Sequence, residues 1–425
     1  MLLVILKRIE KILSSGGNAG IIIFLLWGGM ILAGLFLSVH SRDLVESQNV
    51  LQGRWSDLIL LWEKEGYFFH GGLWFSQSLI KDPSPTMIFP YTMGFLQGAH
   101  LLEKVQIWVN GSFSFGLLAF HNQLIPMLSS ALLGFLAMRL TQRLGIRPLH
   151  TFILGLSAQS MYQTFPGNLW FFWEVYPTTL AVLFMILFLI CEDLAYGLES
   201  KSVYLQLTRK LTVFFMVFVE WVGALCFLSA YCLMSRYFSP EKHIIKRRIV
   251  KIALPVFLAF LVMVSQLVWV KANFPDAQLI GQGTGPQIEL NQSFLQVKDL
   301  AKVLKKRYDS LLPDWNILTM VGLLATFIVM TMVWREKKHS IHLIMLATGT
   351  SSYAVFLLLG PNSFILPEAY EVYLAFTLIL ALFALLPGWL EAFNNNSGIF
   401  VLIFSLLAFC WTCIQLRNYS IYYPL

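Results

Sequence analysis

Long apolar segments recur along the whole chain and are separated by short polar connections. Each segment is almost free of charged residues and, as a helix, is long enough to cross the roughly 30 Å of a bilayer's hydrocarbon core. The pattern predicts an all-α polytopic membrane protein that forms a single transmembrane domain over residues 1–425. The predicted full crossings, nine in number, are 20–39, 117–138, 149–165, 177–194, 249–270, 316–334, 341–359, 371–387 and 398–416.

One apolar run, 211–235, does not fit a simple crossing because both of its flanks are basic. Basic flanks favour the cytoplasm, so both ends would lie on one side of the membrane. A hairpin of two short helices with its tip near Glu220 and Trp221 satisfies both flanks, if protein or a water-filled cavity surrounds its irregular backbone. The alternative is one ordinary crossing and a miscounted span elsewhere.

The composition excludes a soluble protein. The chain is 57% hydrophobic and 12% charged, whereas soluble domains carry about 25% charged residues. The first apolar run, 21–39, is longer than the core of a cleaved signal peptide and lacks a small-residue cleavage site. It therefore predicts an uncleaved first crossing.

The basic residues predict the orientation of the chain. Lys and Arg cluster in five connections that fall on one side of the predicted bundle, which the positive-inside rule places in the cytoplasm. We expect a multi-pass protein of a bacterial cell inner membrane, with its N-terminus cytoplasmic and its C-terminus outside. Basic residues scattered between crossings do not indicate nucleic-acid binding. The five connections are 7–11, 139–147, 201–210, 236–251 and 335–338.

The longest connection is the predicted first outer loop, residues 40–115, which combines acids with many aromatics and glycines. We expect a helical loop with amphipathic helices, one of them over 67–80. Aromatic residues at this density suit a platform against lipid headgroups or sugar rings, although an amphipathic cap that only shields the bundle would look the same. The candidate carboxylates are Asp57, Glu63 and Glu65, and their polar or aromatic neighbours include Tyr67, His70, Tyr91 and Gln97.

The predicted second outer loop, residues 271–313, contains a basic amphipathic helix. Cations beside a membrane fit binding to anionic headgroups, including a lipid phosphate. A solvated face with snorkelling lysines is the alternative. The candidate phosphate-binding residues are Lys302, Lys305, Lys306 and Arg307.

Two further acids lie in apolar surroundings. Glu174 follows Trp173 in a predicted outer turn, 168–177, and Glu220 lies in the middle of an apolar run. Because a carboxylate at bilayer depth is costly, it normally faces a cavity or a partner and marks a functional site. A structural partner, such as a hydroxyl or the Trp221 indole, explains Glu220 equally well.

The sequence predicts neither a metal site nor a cofactor. The histidines are dispersed and lack the spacing of zinc ligands. The cysteines lie in apolar segments, and Cys410 and Cys413 are better explained by helix packing than by redox chemistry. There is no phosphate-binding GxxxxGK[ST] loop, so ATP hydrolysis is not expected to drive the function.

In its arrangement of crossings and outer loops, the chain resembles the GT-C superfamily of membrane glycosyltransferases. The most similar members are the bacterial relatives of protein O-mannosyltransferases and lipid A aminoarabinose transferases. The first outer loop of that superfamily often contains two acids followed by Gly-Tyr-Tyr, and the matching stretch here is WEKEGYF at 62–68. The stretches LLGFLAMRLTQRLG at 132–145 and FFWEVYP at 171–177 are similar to the next superfamily helices and their outer turn. As a pattern, the resemblance covers most of residues 15–390.

The resemblance implies transfer of a sugar from a polyprenyl-phosphate donor, bound among membrane lipids, to an acceptor of unknown identity on the outer face. It implies Glu65 as the catalytic base, with Glu63, Asp57 or Glu174 as reserves. Where relatives carry an arginine motif for the donor phosphate, this chain reads PEAYEVY at 367–373, which implies phosphate binding by the cations of the second loop. The implied substrate cavity comprises Tyr67, His70, Tyr91, Gln97, Trp173, Glu220, Tyr370 and Glu371.

Three other classes of protein share part of this pattern. A transporter or flippase of lipid-linked glycans is favoured by Glu220 and the hairpin, because broken helices often mark substrate sites. An O-antigen polymerase also has many crossings, but its large outer loop usually falls late in the chain. A non-catalytic scaffold with a GT-C-like helical bundle would explain the missing arginine.

Overall fold

The computed structural model describes residues 18–40, 73–76, 87–92, 104–105, 107–109, 115–165, 168, 177–197, 202–238, 242–273, 275, 278–279, 348–349, 376, 379–380 and 397–422. The long helices are α1 Asn18–His40, α2 Phe115–Gln142, α3 Pro148–Gln163, α4 Pro177–Gly197, α5 Val203–Val219, α6 Trp221–Phe238, α7 Lys242–Asn273 and α8 Ser397–Tyr422. Three short strands accompany them: β1 Leu73–Ser76, β2 Met87–Thr92 and β3 Gln278–Leu279.

Three of these helices contain a segment long and apolar enough to cross a membrane: Gln123–Gln142 of α2, Thr178–Ala195 of α4 and Ile249–Asn273 of α7. Shorter apolar segments lie in α1, α6 and α8. The predicted class, a helical membrane protein, is therefore confirmed. The number of crossings stays a prediction, since the spans expected at 316–334, 341–359 and 371–387 fall almost wholly outside the described residues.

Helix α7 has a broad, exposed apolar face. Leu254, Phe257, Leu261 and Val268 are each more than half exposed. A soluble protein rarely exposes a continuous apolar patch of this kind. In a membrane protein such a face lies against lipid hydrocarbon.

Helices α1, α2 and α3 pack closely through small residues. A methyl group added to Gly134 would lie 2.7 Å from the carbonyl oxygen of Gly155, and one added to Gly155 would lie 2.7 Å from that of Gly134. The ring of Phe24 on α1 packs beside both glycines and lies 5.4 Å from the ring of Phe152. Small residues let helix backbones approach closely in a membrane, where dispersion contacts rather than the hydrophobic effect hold helices together.

A short turn joins α2 to α3. Gly145 adopts a φ of 74° there, a left-handed conformation that glycine enters without steric cost. Pro148 then occupies the first position of α3, where its missing N–H is not needed and its φ suits a helix. The turn makes α2 and α3 antiparallel. Helix α8 packs on α3, with the ring of Trp411 5.7 Å from that of Phe165.

The break predicted near Glu220 is present, because α5 ends at Val219 and α6 begins at Trp221. Glu220 itself is extended, with φ −149° and ψ 94°. Arg209 on α5 and Tyr231 on α6 both bond the carboxylate of Glu192 on α4. A continuous helix would hold these two Cα atoms about 33 Å apart, too far for both side chains to reach one carboxylate. The chain therefore reverses direction at Glu220.

The tip of this α5–α6 hairpin reaches only part of the way along α7. The ring of Trp221 lies 6.2 Å from that of Phe260, and Phe260 lies near the middle of the apolar segment Ile249–Asn273. If α7 spans the membrane, the tip lies near the depth of the bilayer's centre.

The strands join the two predicted outer loops. β1 pairs antiparallel with β2, and β2 pairs in parallel with β3, with Met87 opposite Gln278. β2 also contacts α5 and α7. The expectation of a helix over 67–80 was wrong at 73–76, where the backbone forms β1 instead. Its two adjacent aromatic residues, Trp74 and Phe75, suit an extended strand as well as a helix.

Candidate functional site

Most residues predicted for a catalytic site lie outside the described part of the chain. They are Asp57, Glu63, Glu65, Tyr67, His70, Gln97, Trp173, Glu174, Lys302, Lys305, Lys306, Arg307, Tyr370 and Glu371. Tyr91 contributes its backbone to β2. Among the predicted site residues, Glu220 is the one whose side-chain position the structure describes, and the site is therefore built outward from it.

The carboxylate of Glu220 accepts the backbone N–H of Gly223, with oxygen distances of 2.9 and 3.2 Å. The Glu220 backbone N–H donates to the carbonyl of Met216, and the Glu220 carbonyl accepts from Ala224 at 3.2 Å. Glu220 thus closes the last turn of α5 and opens the first turn of α6. Glu220 as a whole is buried, with 6% of its surface exposed.

This capping arrangement gives a physical reason for an acid at this position. The first N–H groups of a helix have no partner inside it, and the positive end of the helix dipole favours a negative charge there. Both effects offset part of the cost of burying a carboxylate in apolar surroundings. The Trp221 indole, one structural partner considered for Glu220, makes no hydrogen bond in the described part of the chain.

A second acidic site, which the sequence did not predict, lies at the C-terminal end of α4. Asp193 is fully buried, and its Oδ2 lies 2.6 Å from Nε of Arg139. Nη2 of Arg143 donates to the Asp193 carbonyl at 2.7 Å and lies 2.8 Å from its Oδ1. The neighbouring Glu192 pairs with Arg209 at 2.7 Å and accepts the hydroxyl of Tyr231.

These two acids connect α4 to α2, α5 and α6. The sequence carried a signal for them, because two adjacent acids end an apolar span and three arginines belong to connections predicted on the same side. The ends of α2 and α4 and the start of α5 do lie together, as that prediction requires. Removing one partner of a buried ion pair is costly, because the remaining charge stays in a low-dielectric environment.

A third polar feature is a seam of amides and hydroxyls between α1, α2 and α3. Gln159 Nε2 donates to the Phe24 carbonyl at 2.7 Å, and Gln163 Nε2 donates to the Gly28 carbonyl at 3.0 Å. Ser130 Oγ lies 3.2 Å from Gln163 Oε1. Polar side chains of this kind hold transmembrane helices together, and the constant offset between donor and acceptor shows that α1 and α3 run parallel.

The described residues show no candidate metal site and no disulfide. Among the residues that the structure describes, no group of three or more His, Cys, Asp or Glu side chains converges. Cys191 and Cys226 are buried, and Cys410 and Cys413 lie on the exposed face of α8. All four thiols are free.

Neither the scan of protein-family models nor the search of curated proteins finds a match for this chain. The resemblance to GT-C glycosyltransferases therefore rests on the sequence motifs given above.

Proposed function

We propose that this protein transfers a sugar from a polyprenyl-phosphate donor to an acceptor at the outer face of a cell inner membrane. The observation that carries the proposal is the pairing of β2 with β3. β2 belongs to the predicted first outer loop, which holds the candidate acids. β3 belongs to the predicted second outer loop, which holds the candidate cations. The reaction needs both loops at one place.

The chemistry assigns a separate task to each loop. The carboxylate of Glu65 takes the proton of the acceptor hydroxyl while the hydroxyl oxygen attacks the anomeric carbon of the sugar. The bond between that carbon and the phosphate oxygen breaks, and the polyprenyl phosphate leaves with the bonding electrons. Lys302, Lys305, Lys306 and Arg307 balance its negative charge. A base in the correct position contributes a factor of about 10²–10⁴ to such a step.

The orientation that this function requires is also a proposal. The donor is presented on the outer face, so the loops 40–115 and 271–313 must lie outside and the N-terminus in the cytoplasm. The grouping of Arg139, Arg143 and Arg209 at one end of the bundle supports this orientation, because basic residues favour the cytoplasmic side.

The test replaces Glu65 in the full-length protein. Proteoliposomes containing wild type, Glu65→Gln or the matched control Glu46→Gln would receive polyprenyl-phosphate sugars and a membrane extract as acceptor source. Wild type and Glu46→Gln should release polyprenyl phosphate, and Glu65→Gln should lose at least about 100-fold of that rate. Full activity in Glu65→Gln would remove Glu65 as the base. No release by wild type would refute the transfer reaction.

A second candidate function is transport of a lipid-linked glycan across the membrane. Glu220 favours it, because a buried carboxylate at a helix break beside the middle of α7 is typical of substrate sites in transporters. Proteoliposomes with a fluorescent lipid-linked sugar would separate the two functions. Transport predicts protein-dependent movement between leaflets that Glu220→Gln reduces, whereas the transferase predicts product without such movement.

A further inference from the structure

The side chains of two arginines on α2 meet at one buried carboxylate. Nε of Arg139 lies 2.6 Å from Oδ2 of Asp193, and Nη2 of Arg143 lies 2.8 Å from Oδ1 of the same residue. The Asp193 side chain is 0% exposed, so both guanidinium groups contact a single buried charge. The neighbouring acid, Glu192, pairs with Arg209. Among the described residues, this cluster therefore joins three arginines to two acids and has an excess of positive charge.

Arg139 binds Asp193 in a way that leaves most of its donors unused. A guanidinium group has five N–H donors, and the one on Nε bonds the carboxylate. Cζ of Arg139 also lies 5.8 Å from the centroid of the Phe135 ring, in a cation–π contact. Nη1 and Nη2 make no hydrogen bond within the described residues, and 25% of the side chain is exposed. The carboxylate and the ring thus hold the guanidinium in place, while its terminal N–H groups stay available to a ligand.

This arginine lies at the edge of the apolar part of the protein. The apolar segment of α2 ends at Gln142, and that of α4 ends at Ala195. Arg139 and Asp193 each precede these ends by less than one helical turn. A long arginine side chain reaches from such a position to the lipid headgroups, whose phosphates lie just outside the hydrocarbon core.

We propose that Arg139 binds the phosphate group of an anionic membrane lipid through the N–H groups of Nη1 and Nη2. Phosphate oxygens match the planar, paired donors of arginine, and charge-assisted bonds of this kind are about twice as strong as neutral ones. The phosphodiester of an anionic lipid carries a negative charge that balances the excess positive charge of the cluster. Basic pockets between membrane helices typically bind such headgroups.

The same N–H groups would also bind inorganic phosphate. The position of Arg139 favours the lipid, because a lipid phosphate is held at this level by its acyl chains. The site lies at the end of α2 that the basic connections predict to be cytoplasmic, whereas the sugar donor of the proposed function binds at the outer loops. The two proposals therefore concern different lipids and are tested separately.

The test measures how lipids change the thermal unfolding midpoint of the full-length protein in dodecyl maltoside micelles. The added ligand is palmitoyl-oleoyl phosphatidylglycerol, phosphatidylcholine with the same acyl chains, or sodium phosphate at constant ionic strength. Phosphatidylglycerol should raise the midpoint saturably, because a ligand that binds the folded state stabilises it. Phosphatidylcholine should have a much smaller effect, since its choline group cancels the phosphate charge. Sodium phosphate at the same concentration should have none.

Arg139→Lys separates the charge of this residue from its geometry, because it keeps a positive charge beside Asp193 but removes the planar guanidinium. The half-saturating concentration of phosphatidylglycerol should rise about tenfold, as expected for the loss of one charge-assisted hydrogen bond. Lys210→Gln is the matched control. It removes a full charge from an exposed residue of α5 at the same end of the protein. It should change the half-saturating concentration by less than about twofold, because salt screens exposed charges.

A second variant covers the case in which Arg139→Lys does not fold. Arg139→Gln combined with Asp193→Asn removes the donors and the buried charge together, and it should lose the preference for phosphatidylglycerol over phosphatidylcholine. An unchanged affinity for phosphatidylglycerol in the folded variant would overturn the proposal, as would equal stabilisation of the wild type by phosphatidylcholine. A rise with sodium phosphate that phosphatidylglycerol does not match would assign the site to free phosphate and overturn the lipid.

Discussion

The carboxylate of Glu192 lies 2.7 Å from the guanidinium of Arg209, in a contact that ties the end of α4 to the start of α5. The side chains are 8% and 12% exposed. Tyr231 on α6 donates its hydroxyl to the second oxygen of the same carboxylate. One acid thus holds both arms of the α5–α6 hairpin at its open end, and the tip with Glu220 lies at the other end.

Removing one charge of this pair should destabilise the protein strongly. Glu192→Leu leaves Arg209 buried without its partner, at a cost on the order of 3 kcal/mol. Glu192→Leu combined with Arg209→Leu should recover part of that loss, because neither charge then stays buried. Denaturation in detergent or nanodiscs measures both values.

Lys210 is the matched control for this pair. It is the next residue along α5 and is exposed, so Lys210→Leu should change the free energy of unfolding by no more than about 0.5 kcal/mol. A double variant that is no more stable than Glu192→Leu would contradict the role of the ion pair.

The hairpin itself predicts a short distance across its open end. Spin labels at Lys210 and Cys232, in a background without other cysteines, should lie well under the roughly 33 Å that a continuous helix would give. Pulsed electron paramagnetic resonance in nanodiscs measures this distance. A distribution centred near the value for a continuous helix would mean that 211–235 is one ordinary crossing.

The depth of the tip can be tested in the same way. A label at Trp221 should lie as deep in the bilayer as one at Phe260, because the two rings are 6.2 Å apart. A label at Trp269, farther along α7, should be shallower. Accelerated relaxation by oxygen and by a water-soluble nickel complex measures depth. Equal depths at Trp221 and Trp269 would place the tip near the membrane surface instead.

The close approach of α2 and α3 predicts a large effect of a single methyl group. Gly134→Ala or Gly155→Ala places a Cβ 2.7 Å from a backbone carbonyl, and backbone cannot move aside as a flexible side chain can. We expect a loss of about 1–3 kcal/mol from overpacking, measured by denaturation.

Gly29→Ala and Gly34→Ala are matched controls on α1, since a Cβ at either position meets no atom within 4 Å. They should be neutral or stabilising by up to about 1 kcal/mol, because alanine favours a helix over glycine. Equal losses at all four positions would show that packing at Gly134 and Gly155 is not special.

Part of the fold follows from the sequence alone. Apolar length predicts α2, α4 and α7 as membrane helices, and the two basic flanks of 211–235 predict the break at Glu220. The sequence did not predict β1, because two adjacent aromatic residues between a leucine and a serine fit a strand and a helix alike. It also missed the pairing of Glu192 and Asp193 with three arginines, because that pairing depends on which helix ends meet.

The sequence by itself determined that the helices of this protein lie in a lipid bilayer and where its chain must turn. Hydrophobic length and charge act locally, since each residue's transfer into lipid is largely independent of its distant neighbours. Only the tertiary structure decided that Glu220 caps α6 halfway along α7 and that one carboxylate receives both Arg209 and Tyr231. These features depend on atoms far apart in the chain, which packing alone brings within a few ångströms.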